Sequence, residues 1–599
     1  MKGLKVTRDR IQSMSNELIY SILFLKIILF HTFTDTTLSS GVFSTSIGFL
    51  LLFYAFSFLF KNKWRLLYSL IVNLLISIVL FSNTLYLDYY SSPITISTFY
   101  QTTNLSGLGD SILYLFHYKY LLYLTDLIFL PFFFIRRTFL YQKAPSMIKG
   151  FIPFCFVGML AISLKPVKLV YLDHMENPIQ AYDSLDLIVQ YGLIGHHALD
   201  AYFHIRDANF TLSSEDRKRI EKQLSQKPTI QIEHDYEGMG KGKNLIMIQV
   251  ESLQHFVLNK EIDGQEITPT LNDLLKNSLV FPNFYAQTIG GNSSDAEFLT
   301  QTSLFPLKTG SVFFRYPYNT YHSIGGALKD QGYATLAVHA DEKTFWNRDH
   351  MYPSLGFDDY ITIEDFPQKE IIGMGVGDKE MFTETPKILG KQAKPFYSLL
   401  VTLTNHMPYE MLADHKSLSL PDSLENSLLG DYFQTVRYTD EALALFIDSL
   451  KEQKLLEDSI IVIYGDHNGI FHRDKPLLEK WLQKEISTEE WYRTFATVPF
   501  IVYHPSIKET TNYTIGGQVD VFPTIGSIMG LSNKISSTSL GINLLAAPNN
   551  TVMIPSGGYV EKPLSITGES IKAGLTDREK NLLDISNLII KGDYFSNER

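Results

Sequence analysis

The sequence predicts two domains of different kinds, a bundle of membrane-spanning helices followed by an α/β domain built on a parallel sheet. Residues 18–172 are crowded with Leu, Ile, Phe and Tyr, whereas the composition beyond residue 175 is that of an ordinary soluble domain. Short β-branched runs then recur between helical stretches, which is typical of a doubly wound sheet. The chain of 599 residues is long enough for both, and we place the boundaries at 1–172, 173–243 (a connector) and 244–599.

Five apolar segments are interpreted as membrane-spanning helices, each of which needs about 20 mostly apolar residues. They lie at 18–33, 42–60, 66–87, 120–135 and 150–172. Lys165 and Lys168 interrupt the fifth, although long side chains near a helix end can reach the interface. Lys26 and Asp126 also fall inside spans, where a charge is costly and usually paired or functional. Alternatively, the span centres are displaced by a turn.

The Lys and Arg residues between the spans orient them, because cytoplasmic loops are enriched in both. The loop 31–41 has neither, and the loop after the third span has only Lys119. Basic residues instead occupy the N-terminal tail and the loops after the second and fourth spans: Lys2, Lys5, Arg8, Arg10, Lys61, Lys63, Arg65, Arg136, Arg137, Lys143 and Lys149. These segments are predicted to be cytoplasmic, and five spans then place the chain after residue 172 outside. The further spans argue against a cleaved signal peptide.

Net charge and cysteine content narrow the possible partners and sites of this protein. The formal net charge of −11 argues against a nucleic-acid partner. Cys155 is the single cysteine, so the chain can form neither an internal disulfide nor a cysteine-based metal site.

Four near-continuous apolar runs predict strands that are buried on both faces. They are 244–250, 334–338, 396–403 and 459–464, and an amphipathic stretch at 431–451 lies between the last two. The segment 204–227 is charged and is predicted to be a surface helix, and the glycines of 238–243 predict a turn before the first strand.

A chemically useful polar residue stands at or just beyond the carboxyl end of each run. Open α/β sheets bind ligands in the crevice beyond those ends. The four runs therefore direct one set of side chains to one crevice: Glu251, His339, His406 and the pair Asp466–His467.

Glu251, Asp466 and His467 form a candidate divalent-metal set. Carboxylate oxygens with one imidazole suit manganese, magnesium or zinc, and the absence of a thiolate leaves Mn²⁺ or Mg²⁺ as the expected metal outside a cell. The competing interpretations are a solvated strand-end carboxylate at Glu251 and an Asp–His pair that caps a turn.

The candidate nucleophile lies in the segment 290–297, GGNSSDAE. Its glycines allow the backbone to approach a ligand, and the N-terminus of the helix expected to follow favours phosphate. A serine there can be activated by a metal and attack phosphorus. Alternatively, Ser293 or Ser294 is a helix N-cap, with Asp295 or Glu297 in the first turn.

The segment 345–349, FWNRD, is a candidate phosphate-binding cluster. Arg348 can bind phosphate in a fork geometry, and Trp346 can pack against a sugar-like or glycerol carbon chain. The alternative is a surface salt bridge between Arg348 and Asp349 beside a partly buried tryptophan. His339 and His406 are candidates for acid, base or phosphate ligand, although either alone is more often structural.

Taken in order, the motifs NLIMIQVES, GGNSSDAEF, FWNRDHMYPSLGFDDY, LTNHMPY, YGDHNG and DVFPTIGSIMG resemble those of the lipoteichoic acid synthase family, within the sulfatase and alkaline phosphatase superfamily. Five spans followed by an external domain also match the layout of that family. The resemblance implies a five-helix transmembrane domain followed by an α/β sulfatase-like (alkaline phosphatase-like) extracellular domain.

The resemblance also implies roles for individual residues. Glu251, Ser293, Asp466 and His467 would be the manganese ligands, with Ser293 the nucleophile. Trp346, Arg348, His339 and His406 would line the glycerophosphate pocket. The family usually has threonine at the position of Ser293 and lysine at that of Asn292. Serine supplies the same hydroxyl, but the change leaves open whether this member is a main polymerase or a side-branch enzyme.

The implied activity is phosphoglycerol transfer from phosphatidylglycerol to a polyglycerolphosphate chain or its glycolipid anchor, by an enzyme of the cell membrane. The alternatives are a primase, another phosphoglycerol or phosphoethanolamine transferase, and a catalytically inactive scaffold. Phosphoethanolamine transferases are usually rich in disulfides, which this chain cannot form internally. True sulfatases mature a Cys/Ser-x-Pro-x-Arg motif, which 293–297 lacks.

Overall fold

A computed structural model of the protein describes residues 2–61, 63–90, 93–99, 116–129, 147–171, 184–226, 233–531, 538–546, 551–555 and 563–598. The chain divides into two compact units, Met1–Ile96 with Ile112–Ala208 and Ser97–Ser111 with Asn209–Arg599. The break after Ala208 falls inside the predicted connector, whereas Ser97–Ser111 comes from the predicted first domain. The predicted boundaries at 173 and 243 remain a prediction.

The first unit consists mainly of long apolar helices. They are α1 (Lys2–Phe33), α2 (Ser40–Ser57), α3 (Lys63–Tyr90), α4 (Met147–Tyr171) and α5 (Ser184–Asp207), which is kinked at Gly192. Within the described residues, four helical stretches are long and apolar enough to cross a membrane: Asn16–Phe33, Ser40–Ser57, Trp64–Asp88 and Gly150–Tyr171. They correspond to the first, second, third and fifth predicted spans, the lysine-interrupted one included.

The fourth predicted span, 120–135, is not among those four. Its described part begins in a 3₁₀ helix, Tyr118–Tyr123, and continues as a short helix over 125–129. The remainder, 130–135, lies outside the described residues. The structure therefore supports four spans, and the count of five is not confirmed.

The two charges predicted inside spans are paired with each other. Lys26 Nζ lies 2.5 Å from Asp126 Oδ1 and donates hydrogen bonds to Asn73 Oδ1 at 3.1 Å and Ser77 Oγ at 2.7 Å. Asn73 Nδ2 in turn donates to Asp126 Oδ2 at 2.8 Å. Mutual pairing offsets much of the cost of burying charge, and it ties the segment that holds Asp126 to α1 and α3.

The second unit is an α/β domain. Its helices are α6 (Ser214–Ser225), α7 (Pro269–Leu274), α8 (Asn292–Thr302), α9 (Val312–Arg315), α10 (Ile324–Lys329), α11 (Arg348–Met351), α12 (Asp378–Leu389), α13 (Leu428–Glu452), α14 (Lys475–Leu482), α15 (Thr488–Glu490), α16 (Val521–Ile528) and α17 (Asp577–Lys591). The main sheet contains β1 (Asn244–Val250), β2 (Ser278–Val280), β3 (Ala334–His339), β4 (Asp359–Ile361), β5 (Phe396–Val401), β6 (Ser459–Gly465), β7 (Phe500–Tyr503) and β8 (Thr510–Thr511).

The sheet order is β8-β2-β7-β6-β1-β5-β3-β4, with β1 near the middle. All neighbouring pairs from β6 to β4 are parallel. The strand β7 runs antiparallel to both β6 and β2, so the prediction of a parallel sheet is wrong for this side. Smaller strands lie at 261–262 with 265–266, 284–285 with 516–517, 371–372 with 375–376, and 551–554, 564–567 and 571–573.

Both faces of the sheet are covered by apolar cores, as the uninterrupted apolar runs predict. Ile246 and Ile248 of β1 pack into one core, whereas Leu245 and Met247 pack into the other. The amphipathic helix predicted at 431–451 is α13, which covers the first face. The predicted surface helix at 204–227 is instead two pieces, because α5 ends at Asp207 and α6 begins at Ser214.

Candidate active site

Two adjacent parallel strands bring the predicted metal residues together. In the pairing of β1 with β6, Val250 lies opposite Gly465. The next residues along the two strands are Glu251 and Asp466, so the sheet register places both carboxylates at one edge. The crevice predicted from the strand ends is therefore formed at β1 and β6.

Glu251, Asp466 and His467 form one cluster, in which one ligand atom from each residue lies within 4.8 Å of the others. His467 Nε2 is 3.3 Å from Glu251 Oε1 and 3.5 Å from Asp466 Oδ2. Ser293 Oγ donates to Glu251 Oε2 at 3.1 Å and lies 3.4 Å from His467 Nε2. The fold thus gathers all four residues that the resemblance implied as metal ligands.

The polar surroundings of the cluster orient its carboxylates. Asp466 Oδ1 accepts from the backbone N–H groups of Ser252 and His467, at 2.7 Å each. Its other oxygen, Oδ2, is buried and has no hydrogen-bond partner among the described residues. Glu251 is only 2% exposed, so it is not a solvated strand-end carboxylate. Two buried carboxylates, an imidazole and an orphaned oxygen fit a divalent cation.

The electrostatics of the cluster also favour a cation. Burial and the neighbouring Glu251 carboxylate raise the pKa of Asp466 to about 7. Burial opposes protonation of His467, but the Asp466 and Glu251 carboxylates outweigh it and raise the pKa of that imidazole. Each shift reports negative charge that is concentrated out of water, which a divalent cation would neutralise.

The start of α8 separates the two candidate serines. Gly291 is the N-cap of this helix, so neither serine is, and the capping interpretation is wrong. Ser293 faces the carboxylate cluster, whereas Ser294 Oγ donates to the Gly291 carbonyl at 2.7 Å and lies 2.9 Å from Ser311 Oγ. A Cβ on Gly291 would lie 2.1 Å from Asp295 Oδ1, so the tight turn requires glycine there.

Arg348 is buried rather than on the surface. Its Nε and Nη2 donate to Glu297 Oε1 at 3.0 and 2.6 Å, and both side chains are almost fully enclosed. Asp349 instead accepts from His350, so the predicted alternative of an Arg348–Asp349 salt bridge is wrong. Arg348 Nη1 is buried without a hydrogen-bond partner among the described residues. One edge of the guanidinium is therefore committed to Glu297, and Nη1 remains for a ligand.

The two candidate histidines are held in the neutral form by burial. Burial and the Arg348 charge keep the pKa of His339 well below its usual value, and burial lowers the pKa of His406 to about 4. Their Nδ1 atoms lie 3.0 and 2.8 Å from the carbonyls of Val401 and Met407, respectively. A neutral ring with its proton on Nδ1 has an acceptor at Nε2. In the described structure, His339 Nε2 is buried and has no partner.

Trp346 is buried, at 5% exposure, and its ring packs against Phe345, which in turn stacks on His339. Its ring centroid is 6.1 Å from that of Phe314, and its φ of 56° is unusual for a non-glycine residue. Strained backbone of this kind concentrates at functional sites.

Sequence reasoning missed the residues that hold the site together. Glu297 was considered only as a first-turn acid of α8, not as the partner of Arg348. Gln249 was unnoticed inside β1, although its Nε2 donates to the Ser293 carbonyl at 3.1 Å. A glutamine near the end of a fully buried strand was a usable signal, since a buried amide needs partners. The pairing of Glu297 had no such signal, because its partner lies 51 residues away.

Fold and site define a membrane-attached α/β enzyme of the sulfatase and alkaline phosphatase type, with a cluster of carboxylates and an imidazole that can hold a divalent cation. Residues 243–531 match the family described as Sulfatase, and residues 1–211 match the lipoteichoic acid synthase N-terminal domain. The lipoteichoic acid synthase-like YvgJ of Bacillus subtilis (strain 168) is 35% identical over 84% of this chain and 81% of its own length.

A second curated relative and a crystal structure point to the same family. The lipoteichoic acid synthase of Staphylococcus aureus (strain NCTC 8325 / PS 47) is 31% identical over 90% of this chain and 86% of its own. The crystal structure of the lipoteichoic acid synthase LtaP from Listeria monocytogenes superposes with a TM-score of 0.54 at 27% identity, covering 63% of this chain and 97% of that one. The chain belongs to the lipoteichoic acid synthase family, which confirms the resemblance predicted from its motifs.

Proposed function

We propose that this protein transfers glycerophosphate from phosphatidylglycerol to a growing polyglycerolphosphate chain, or to the glycolipid that anchors it, through a covalent intermediate on Ser293. The observation that carries the proposal is the Ser293 hydroxyl, 3.1 Å from Glu251 and 3.4 Å from His467 at the start of a helix. Family membership supports the substrate class, and the candidate spans support a lipid donor within the same membrane.

The residues that would hold the metal are Glu251, Ser293, Asp466 and His467. Oxygen ligands with one imidazole and no thiolate suit Mn²⁺ or Mg²⁺, and the resemblance to the family favours Mn²⁺. A divalent cation bound there lowers the pKa of the coordinated hydroxyl and stabilises charge that develops on the phosphoryl oxygens.

The proposed reaction consists of two successive substitutions at the same phosphorus atom. Ser293 Oγ forms a bond to the phosphorus of the donor while the bond to the diacylglycerol oxygen breaks, and diacylglycerol stays in the bilayer after taking a proton. An acceptor hydroxyl then forms a new phosphodiester as the Ser293 ester breaks and the serine regains its proton.

The remaining residues would bind the substrate. Arg348 Nη1 is suited to donate to a phosphate oxygen, and the neutral His339 Nε2 is suited to accept from a glycerol hydroxyl. His406 and Trp346 complete the proposed pocket.

Turnover of fluorescent phosphatidylglycerol by the purified full-length protein tests the proposal. With Mn²⁺ we expect release of diacylglycerol, and with an acceptor present we expect a ladder of polyglycerolphosphate. A single added unit would identify a primase instead. Metal-bound protein that leaves the lipid intact would contradict the proposed transfer.

The proposed topology is a cytoplasmic N-terminus with the catalytic domain outside the cell membrane. It rests on the basic residues of the loops at 61–65 and 136–149. A reporter that is active only in the cytoplasm should be inactive when fused after residue 230, and active when fused after residue 61. Cytoplasmic activity of the fusion after residue 230 would contradict the orientation.

Arg348→Lys should lower kcat/KM for lipid cleavage by about 100-fold. A lysine ammonium carries all its donors on one nitrogen, so it cannot reproduce the planar fork that holds Glu297 along one edge and presents a separate nitrogen to phosphate. The matched control is Arg437→Lys, since Arg437 makes a more exposed pair with Glu441 and should tolerate the change. Equal kinetics for wild type and Arg348→Lys would exclude a phosphate-binding role.

A further inference from the structure

We propose that Glu297 is a positioning residue, which fixes the Arg348 guanidinium so that its one uncommitted nitrogen faces the phosphate of the substrate. The inference rests on the proposed function, because it assigns Glu297 to the phosphate pocket of that reaction. It adds a residue that touches no substrate and acts through Arg348.

Glu297 is the centre of a closed hydrogen-bond network. Its side chain is fully buried and accepts from Arg348 Nε and Nη2, as well as from the Tyr352 hydroxyl at 2.7 Å. Each carboxylate oxygen of Glu297 thus accepts a hydrogen bond, and the Arg348 guanidinium is hydrogen-bonded along one edge. Paired hydrogen bonds of this kind fix both the distance and the plane of the arginine.

The network is attached to the nucleophile by helix geometry. Glu297 follows Ser293 by four residues on α8, so the two side chains lie on the same face, one turn apart. A helical turn is stiff, which makes α8 a fixed spacer between the attacking oxygen and the clamp on the arginine. The helix α8 therefore fixes the distance between the attacking oxygen and the carboxylate that holds Arg348.

The nitrogen of Arg348 that does not bind Glu297, Nη1, indicates that the arginine binds a ligand. Arg348 Nη1 is buried without a hydrogen-bond partner in the described part of the chain, and so is Nε2 of His339. The two groups are near enough that the Arg348 charge lowers the pKa of His339. A buried unpaired donor is costly and is retained where a ligand supplies the acceptor.

Glu297→Gln keeps the size of the side chain but gives up its charge and directs an amide N–H₂ toward one of the donors. We expect the dissociation constant for glycerol phosphate to rise by about 10-fold or more, and kcat/KM for phosphatidylglycerol to fall at least as far. The Mn²⁺ dissociation constant should be unchanged, because the carboxylate cluster stays intact. Calorimetry on the full-length protein measures both constants.

Two further variants separate positioning from stability. Tyr352→Phe removes one donor from Glu297 and should give a smaller effect of the same kind. Gln301 lies one turn further along α8, and Gln301→Leu removes the oxygen that accepts from the Tyr397 hydroxyl at 2.8 Å. This control should lower the melting temperature without changing either dissociation constant.

Non-additivity provides the decisive comparison. If Glu297 acts through Arg348, Glu297→Gln should add little to the defect of Arg348→Lys. Wild-type glycerol phosphate affinity in Glu297→Gln, or weakened Mn²⁺ binding to the same extent, would overturn the inference. Absence of lipid turnover by the wild type would instead count against the proposed function alone, since the binding measurements do not require turnover.

Discussion

Ser293→Ala is expected to lower the rate of lipid cleavage by about 10⁴-fold or more, since loss of a nucleophile leaves only binding and electrostatic assistance. The hydroxyl that disappears is the one directed at Glu251 and His467. The free energy of unfolding should change by only about 1 kcal/mol, the typical contribution of one hydrogen bond. Diacylglycerol release measures the first quantity and denaturant unfolding the second.

Two neighbouring substitutions make that result specific. Ser293→Thr should retain substantial activity, because the hydroxyl survives and the family usually has threonine there. Ser294→Ala should cost much less than Ser293→Ala, since the Ser294 hydroxyl is engaged with Gly291 and Ser311. A fully active Ser293→Ala enzyme would contradict the mechanism.

Asp466→Asn and Glu251→Gln should each abolish turnover and weaken Mn²⁺ binding by at least about 10-fold. Both changes keep the shape of the side chain but replace a charged ligand oxygen by a neutral amide. Mn²⁺ binding should weaken more in Asp466→Asn than in Glu251→Gln, because Asp466 Oδ2 is the buried oxygen without a partner among the described residues. Calorimetric titration with Mn²⁺ and lipid turnover measure the two consequences.

The control for these variants is another buried acid. Asp440 is 2% exposed, and its carboxylate accepts from the backbone N–H groups of Thr270 and Leu271, away from the cluster. Asp440→Asn should therefore affect stability while leaving Mn²⁺ binding intact. Normal turnover by Asp466→Asn or Glu251→Gln would show that the metal assignment is wrong.

The sequence predicted the central strands and the site at their ends because both depend on local pattern. An uninterrupted apolar run such as 244–250 is buried on both faces, and the residue after it must emerge at the sheet edge. The rule located Glu251, Asp466 and His467 correctly at one edge, where the structure brings them within 4.8 Å.

Properties that depend on distant partners were not predictable in this way. The apolar pattern of Phe500–Tyr503 is the same whether the strand runs parallel or antiparallel to its neighbour, so its antiparallel pairing with β6 was not evident. Arg348 was assigned a neighbour in sequence, whereas its partner Glu297 comes from another helix. In the membrane unit, composition indicated that Lys26 and Asp126 needed partners but not that they pair with each other.

The most direct test of the central claim is mass spectrometry of the protein after incubation with phosphatidylglycerol and Mn²⁺ in the absence of acceptor. We expect a glycerophosphate adduct on the peptide that contains Ser293. Fragmentation should assign the adduct to that residue, and addition of an acceptor should remove it. Release of diacylglycerol together with an adduct on Ser294, or with no adduct on the protein at any time, would contradict the covalent mechanism.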